Sequence, residues 1–193
     1  MNQFPLVLQL DAAGNPNNWI THERSAYYYA KRLIAWEAAP VDFILHGGIS
    51  AITGRQSTMT INTIVAIKGK ITERQQRRLN RVPLNNKTLF RRDCNLCAYC
   101  GNVFPQNDLS RDHIVPMSRG GRNIWTNVVA GCTNCNKRKD NRTLDEVGLQ
   151  LLYVPYVPNR SEYLILQNRQ ILADQMKFLL AKVPLESRIR SWS

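Results

Sequence analysis

Long apolar runs are missing from this 193-residue chain. No stretch approaches the roughly 18 uninterrupted apolar residues that a bilayer-spanning helix needs, so no membrane partner is expected. The opening Met1-Asn2-Gln3-Phe4-Pro5 lacks the basic and then apolar regions of a secretory signal, which predicts a cytoplasmic or otherwise intracellular, non-secreted protein. No internal repeat or low-complexity tract is present, which excludes repeat arrays and compositionally biased linkers. Acidic residues are few, 14 against 26 Lys+Arg, for a net charge of +12. Histidine is scarcer still: His22, His46 and His113 are the only three, so imidazole chemistry has few candidates. With 44% hydrophobic and 21% charged residues, the chain has the composition of a folded domain rather than a disordered tail, and its length permits an ordinary core without disulfides.

The positive charge is concentrated. Residues 1–67 carry four basic and four acidic residues, and residues 143–193 six and five. Residues 68–142 hold sixteen basic residues against five acidic, a balance of +11. A basic block of this kind fits a polyphosphate partner, because each neutralised phosphate releases counterions. DNA is the expected partner, and RNA stays open as an alternative. A solvated basic face is the plainer reading of the same charge.

Four regions are expected. Residues 1–70 read as a small N-terminal α/β lobe: a strand over Pro5–Leu10, a turn-rich loop at Asp11–Pro16, a helix from about His22 to Ala35 capped by Thr21, and β-like runs over Asp42–His46 and Ser57–Lys68. Residues 71–90 are polar and basic and read as a connector. Residues 91–142 hold the chemistry. In the extension 143–193, Thr143-Leu144-Asp145-Glu146 matches a capping box, and Ser161 is placed to cap a helix reaching about Lys182. The terminal elements are read as packing and orienting devices, and His22 and His46 as packing or surface residues.

Cys97-Ala98-Tyr99-Cys100 and Cys132-Thr133-Asn134-Cys135 form two Cys-x-x-Cys pairs. Such turns put two thiolates on one side of a tight loop, and two of them complete a closed tetrahedral zinc site with no position open to substrate. That zinc would be structural. Cys94 competes as a ligand, since Cys94-Asn95-Leu96-Cys97 has the same spacing, but Gly101 after Cys100 favours the later pair. Cys94 is read as a spare thiol.

Between the pairs lie Asp112-His113-Ile114-Val115-Pro116, Gly120-Gly121, Asn123 and Asn127, with Asn136 just beyond. Phosphodiester hydrolysis needs a base for water and a cation for developing charge. On an extended segment adjacent Asp and His side chains point to opposite sides, so Asp112 can face a metal while His113 faces water. His113, Asn127 and Asn136, spaced 14 and 9 apart within the cysteine frame, resemble the HNH endonuclease family in its variant with Asn in the last position. The likeness runs through Leu89-Phe90-Arg91-Arg92-Asp93, Cys97 to Gly101, Leu109 to Pro116, Ser118 to Gly121, Asn123, Trp125-Thr126-Asn127, and Cys132 to Asn136 with Lys139 following. The opening Leu6–Asp11 and the helix after it also look like the N-terminal lobe of some stand-alone HNH proteins.

The resemblance implies an α+β fold with a ββα-metal core stapled by a structural zinc, a small N-terminal α/β lobe and a C-terminal helix. It implies a metal-dependent DNA endonuclease that nicks or cuts both strands. Asp112 and Asn136 would bind one Mg2+ or Mn2+, His113 would be the general base, and Asn127 would hold the His113 ring, partly through its backbone carbonyl. An amide oxygen at Asn136 in place of imidazole favours Mg2+ or Mn2+ over softer metals. Gly120 and Gly121 are expected to form the hairpin turn, and Trp125 to be a core residue. Arg74, Arg77, Arg78, Arg81, Arg91 and Arg92 are expected on the DNA backbone, where contacts position without specifying sequence. Arg111, Lys137, Lys139 and Arg142 are read either as phosphate contacts or as a solvated basic face. The competing reading is a zinc-stabilised nucleic-acid-binding module without catalysis, which needs neither Asp112 nor His113.

Overall fold

The computed structural model describes residues 5–40, 42–69, 72, 77, 79 and 81–192. Among them, Val7–Leu10 (β1) and Ile64–Ile67 (β6) are short apolar runs that lie side by side in parallel. Parallel strands are buried on both faces, which is why these two show no polar alternation. Pro16–Ile20 (β2) pairs antiparallel with β1, and Ile34–Glu37 (β3) pairs antiparallel with β6, giving the order β2-β1-β6-β3. Asp42–Ile49 (β4) and Gln56–Asn62 (β5) form a separate antiparallel hairpin. The helix His22–Ala30 (α1) is capped by Thr21, whose hydroxyl accepts from Arg24 N.

Two elements depart from the sequence expectation. The stretch Pro16–Ile20, which follows the expected Asp11–Pro16 loop and to which the sequence assigns no element, is a strand, with proline at its first position, where its missing N–H is tolerated. The helix expected to reach Ala35 stops at Ala30 because Arg32 adopts a left-handed φ of 55°, and the chain turns back as β3 against β6.

The chain divides into two compact units, Met1–Arg81 with Arg160–Ser187, and Val82–Asn159 with Arg188–Ser193. Residues 143–193 therefore do not form one extension. The helices Arg160–Gln167 (α5) and Ala173–Leu180 (α6) belong to the first unit. There Trp19 Nε1 donates to Leu164 O at 2.9 Å, and Gln175 Nε2 donates to the carbonyls of Leu6 and Thr63 at 2.8 and 2.9 Å. The single helix expected up to Lys182 is broken because the Asn168 side chain accepts from Gln170 N at 3.0 Å, turning the chain between α5 and α6.

The second unit contains Asn86–Arg92 (α2), Leu109–His113 (β7), Val128–Cys132 (β8), Thr133–Lys139 (α3) and Leu144–Val147 (α4). β7 and β8 pair antiparallel, with Leu109 opposite Cys132 and His113 opposite Val128, and α3 follows β8 directly. The capping box at α4 forms: Thr143 N donates to Glu146 Oε2 at 2.7 Å. Its core gathers Cys97, Ala98, Tyr99, Val129 and Cys132, and Trp125 is buried as expected.

Arg92 is fully buried in this core. It pairs with Asp93 through Nε and Nη2, and its remaining N–H groups donate to the carbonyls of Trp125, Val128 and Tyr156 at 2.8–2.9 Å. Asp93 Oδ2 in turn accepts from Ala130 N at 2.8 Å. A guanidinium whose every donor is satisfied inside the fold has none left for phosphate, so the expected DNA contact of Arg92 is corrected: it ties α2 to β8.

Candidate active site

The four thiols come together because each pair sits on a rigid turn. Gly101, at φ 75°, closes the first knuckle, and its N–H donates to Cys97 O at 3.0 Å. Cys132 caps α3, its sulfur accepting from Cys135 N at 3.4 Å. The knuckle is joined to the ribbon by Ala98 N donating to Ala130 O at 2.8 Å. The Sγ atoms of Cys97, Cys100, Cys132 and Cys135 all lie within 4.8 Å of one another. Tetrahedral Zn–S bonds of about 2.3 Å need S···S edges of about 3.8 Å, so the cluster fits a structural zinc after a small contraction. Cys94 is outside it.

Burial opposes ionisation of Cys97, yet N–H groups of Cys132, Cys100 and Tyr99 outweigh it and draw the thiol down to about 7. Cys100 and Cys135 are pushed up by burial and by neighbouring sulfur. A bound cation reverses that tendency by holding all four as thiolates.

β7 alternates its side chains as the sequence requires. Ser110 and Asp112 face α3: Asn136 Nδ2 donates to Ser110 Oγ at 2.7 Å, and Lys139 Nζ contacts Asp112 Oδ1 at 3.2 Å. Arg111 and His113 take the other side, where both meet Asn123. Asp112 and Asn136 flank Gly131: a Cβ built there would lie 3.6 Å from Asp112 Cβ and 3.8 Å from Asn136 Cβ. Gly131 therefore lies beside Asp112, Asn136 and the Tyr99 ring. A carboxylate and an amide oxygen are donors of the hard class that Mg2+ or Mn2+ takes, and in this structure both Asp112 oxygens accept from protein donors.

Asp112 is buried and already held. Tyr99, from inside the zinc knuckle, donates its hydroxyl to Oδ2, and Lys139 adds a second hydrogen bond to His113 O at 2.7 Å. Burial, then the bond to Asp112, push the Tyr99 phenol far up, so it stays a donor. Lys139 is itself fully buried, which corrects the reading of it as a phosphate contact: its ammonium clamps Asp112 and His113 from within. Sequence spacing carried a sign of this, since Asn136 and Lys139 are three apart and share a helix face. Tyr99 and Asn123 had no assigned role, and only the tertiary fold brings them to Asp112 and His113.

Asn127 also differs from expectation. Its side chain accepts from Val115 N at 3.0 Å and donates to Val115 O and Arg122 O at 3.1 and 2.9 Å, while its carbonyl accepts from Ile114 N. Among the described residues it makes no hydrogen bond to the His113 ring. It clasps the loop 114–127 that joins β7 to β8. The two glycines act within this loop rather than as a tight hairpin turn: Gly120 is left-handed at φ 85°, and a Cβ on Gly121 would overlap the Val115 carbonyl.

Of the other expected phosphate contacts, Lys137 and Arg142 are exposed on and just after α3, as is Arg138. Arg91 is half-buried, and Arg77 and Arg81 are exposed. Arg111 is half-buried, with its donors turned to Asn86 and Asn123. Arg74 and Arg78 lie outside the described residues. No helix among the described residues is long and apolar enough to cross a membrane.

An antiparallel ribbon and the helix that follows it, with four thiols clustered beside them, form a ββα unit. Residues 97–152 match the family model described as HNH endonuclease. A 113-residue stretch is 28% identical to the CRISPR-associated endonuclease Cas9 of Corynebacterium diphtheriae, covering 54% of this chain and 10% of that protein. The chain thus corresponds to about a tenth of that relative's length.

Proposed function

We propose that this chain is a metal-dependent DNA endonuclease with His113 as general base. The observation that carries the reading is the division of labour across β7, with Asp112 against Asn136 on one side and His113 on the other. A divalent cation held by the Asp112 carboxylate and the Asn136 amide oxygen would neutralise charge developing on the phosphate and its leaving oxygen. His113 takes a proton from the attacking water as the new P–O bond forms. The bond to the 3′ oxygen breaks, and that oxygen takes up a proton from solvent, giving a 5′-phosphate and a 3′-hydroxyl. Lys139 fixes the backbone at His113 and the carboxylate at Asp112 together, so base and metal ligand keep one spacing. The zinc staple serves the same end, since Tyr99 reaches Asp112 from the knuckle.

Lys137, Arg138 and Arg142 near the end of α3, with Arg77, Arg81 and Arg91, provide sequence-indifferent backbone binding. The rival, a zinc-stabilised nucleic-acid-binding module, draws support from one observation: both Asp112 oxygens already have protein partners. Incubating zinc-loaded protein with supercoiled plasmid and Mg2+ or Mn2+ separates the two. The endonuclease yields nicked or linear DNA that disappears with His113→Ala. The module shifts the plasmid on a gel without cutting it.

A further inference from the structure

We propose that Asn123 is the positioning residue of His113 and that Arg111 sets it. This rests on His113 acting as the base. The Oδ1 atom of Asn123 lies 3.2 Å from His113 Nε2 and 3.0 Å from Arg111 Nη1. A guanidinium only donates, so the Asn123 atom facing it is the carbonyl oxygen and not the amide nitrogen. That same oxygen faces the ring, and an acceptor there requires a protonated Nε2. The neutral imidazole then carries its lone pair on Nδ1, which is the atom that takes the proton from water.

Arg111 is anchored in turn: its Nε and Nη2 donate to Asn86 Oδ1 at 2.9 and 2.6 Å. Asn86 opens α2, the helix whose last residue, Arg92, is locked to β8. A chain of oriented hydrogen bonds thus runs from α2 through Arg111 and Asn123 to the imidazole. Asn127 contributes by clasping the loop that carries Asn123. Arg111 is placed by this network as a fixed orienting group rather than a free phosphate ligand. Its position two residues before His113 on β7 puts both side chains on one face.

The test uses zinc-loaded, full-length protein and two independent readouts. The first is the nitrogen-15 and ring N–H spectrum of His113 in mildly alkaline buffer without added divalent metal. Wild type should show a protonated Nε2 with a visible, exchange-protected ring proton, and an unprotonated Nδ1. Asn123→Ala should lose that protection, Asn123→Asp should keep it, and Arg111→Met should weaken it by freeing the Asn123 amide to flip. The second readout is cleavage. Asn123→Ala should lower kcat by about 10²-fold, the scale of a misplaced catalytic group, with KM little changed, and Asn123→Asp should restore most of the rate. A proton on Nδ1 in wild type, or identical ring spectra in wild type and Asn123→Ala, overturns the proposal. If wild type cuts no DNA, the endonuclease reading fails, and the ring spectrum still decides whether Asn123 and Arg111 hold the imidazole.

Discussion

In the first unit the core is mainly aliphatic, with Val7, Leu8, Leu10 and Val65 on the four-stranded sheet and Ile61 on the hairpin, while Ser25, Thr63, Gln175 and Glu162 are buried among them. In the second unit the buried set includes Arg92, Asp93, Asp112 and Lys139 beside the clustered thiols. Units of this size have small cores, and natural proteins supplement them with metals or cross-links. The second unit shows what that supplement permits. Buried ion pairs add little net stability but are costly to break, because removing one partner strands a charge. They are found where side chains must keep one geometry: Arg92 locks the helix that carries Asn86, and Lys139 locks Asp112 to His113. The first unit contains no residue proposed to do chemistry.

The sharpest way to break this comparison is to remove the metal staple. Structural zinc in small domains contributes about 10–16 kcal/mol of apparent binding energy. Chelation, or Cys132→Ser, should therefore collapse amide-exchange protection over 128–139 while leaving 64–67 protected. Simultaneous loss in both units would show that the units are not independently stabilised, and no loss in either would show that the metal is not a staple. Cys94→Ser should leave zinc content unchanged.

Next in size are the buried ion pairs. Arg92→Met and Lys139→Ala each leave a carboxylate buried without its cation, and each should destabilise the second unit by about 3–5 kcal/mol. In the first unit, Leu8→Ala creates a cavity and should cost about 2–5 kcal/mol. Denaturant unfolding followed by exchange protection in each unit should assign the first two losses to one unit and the third to the other.

How much of this was legible in the sequence follows the same division. The cysteine frame and the opposite facing of Asp112 and His113 were readable, because local turns and strand alternation dictate them; Asn127 and Asn136 were singled out by the resemblance alone. The capping box at Thr143 and the burial of Trp125 were readable too. Arg92 reads as a phosphate ligand, and Lys139 as either a phosphate contact or part of a solvated face, because a basic residue in a basic stretch carries no mark of burial. Beyond the neighbouring Asp93, the partners that satisfy these buried cations are the carbonyls of Trp125, Val128, Tyr156 and His113 and the carboxylate of Asp112, which come from distant segments. β3 was missed because a single left-handed residue, Arg32, ended a helical pattern that otherwise continued. The division into units was misread because the return of α5 and α6 to the first sheet depends on long-range bonds such as Gln175 to Leu6.

The smallest effect sharpens the contrast between buried and exposed lysines on α3. Lys137→Ala should change stability by no more than about 0.5 kcal/mol, while lowering the slope of log affinity for DNA against log salt by about one. Lys139→Ala, once corrected for folded fraction, should leave that slope unchanged. Fluorescence anisotropy with a short duplex across a salt series makes the comparison.

The most direct test of the central claim, a base and a cation site on opposite faces of one strand, is plasmid cleavage rate measured against Mn2+ concentration for wild type, His113→Ala, Asp112→Ala and Asn136→Ala. His113→Ala should lose about 10²- to 10⁴-fold in maximal rate with an unchanged half-saturating metal concentration. Asp112→Ala and Asn136→Ala should instead need more metal to reach half their maximal rate. A His113→Ala protein that cuts at the wild-type rate, or that regains it simply with added metal, would contradict the account.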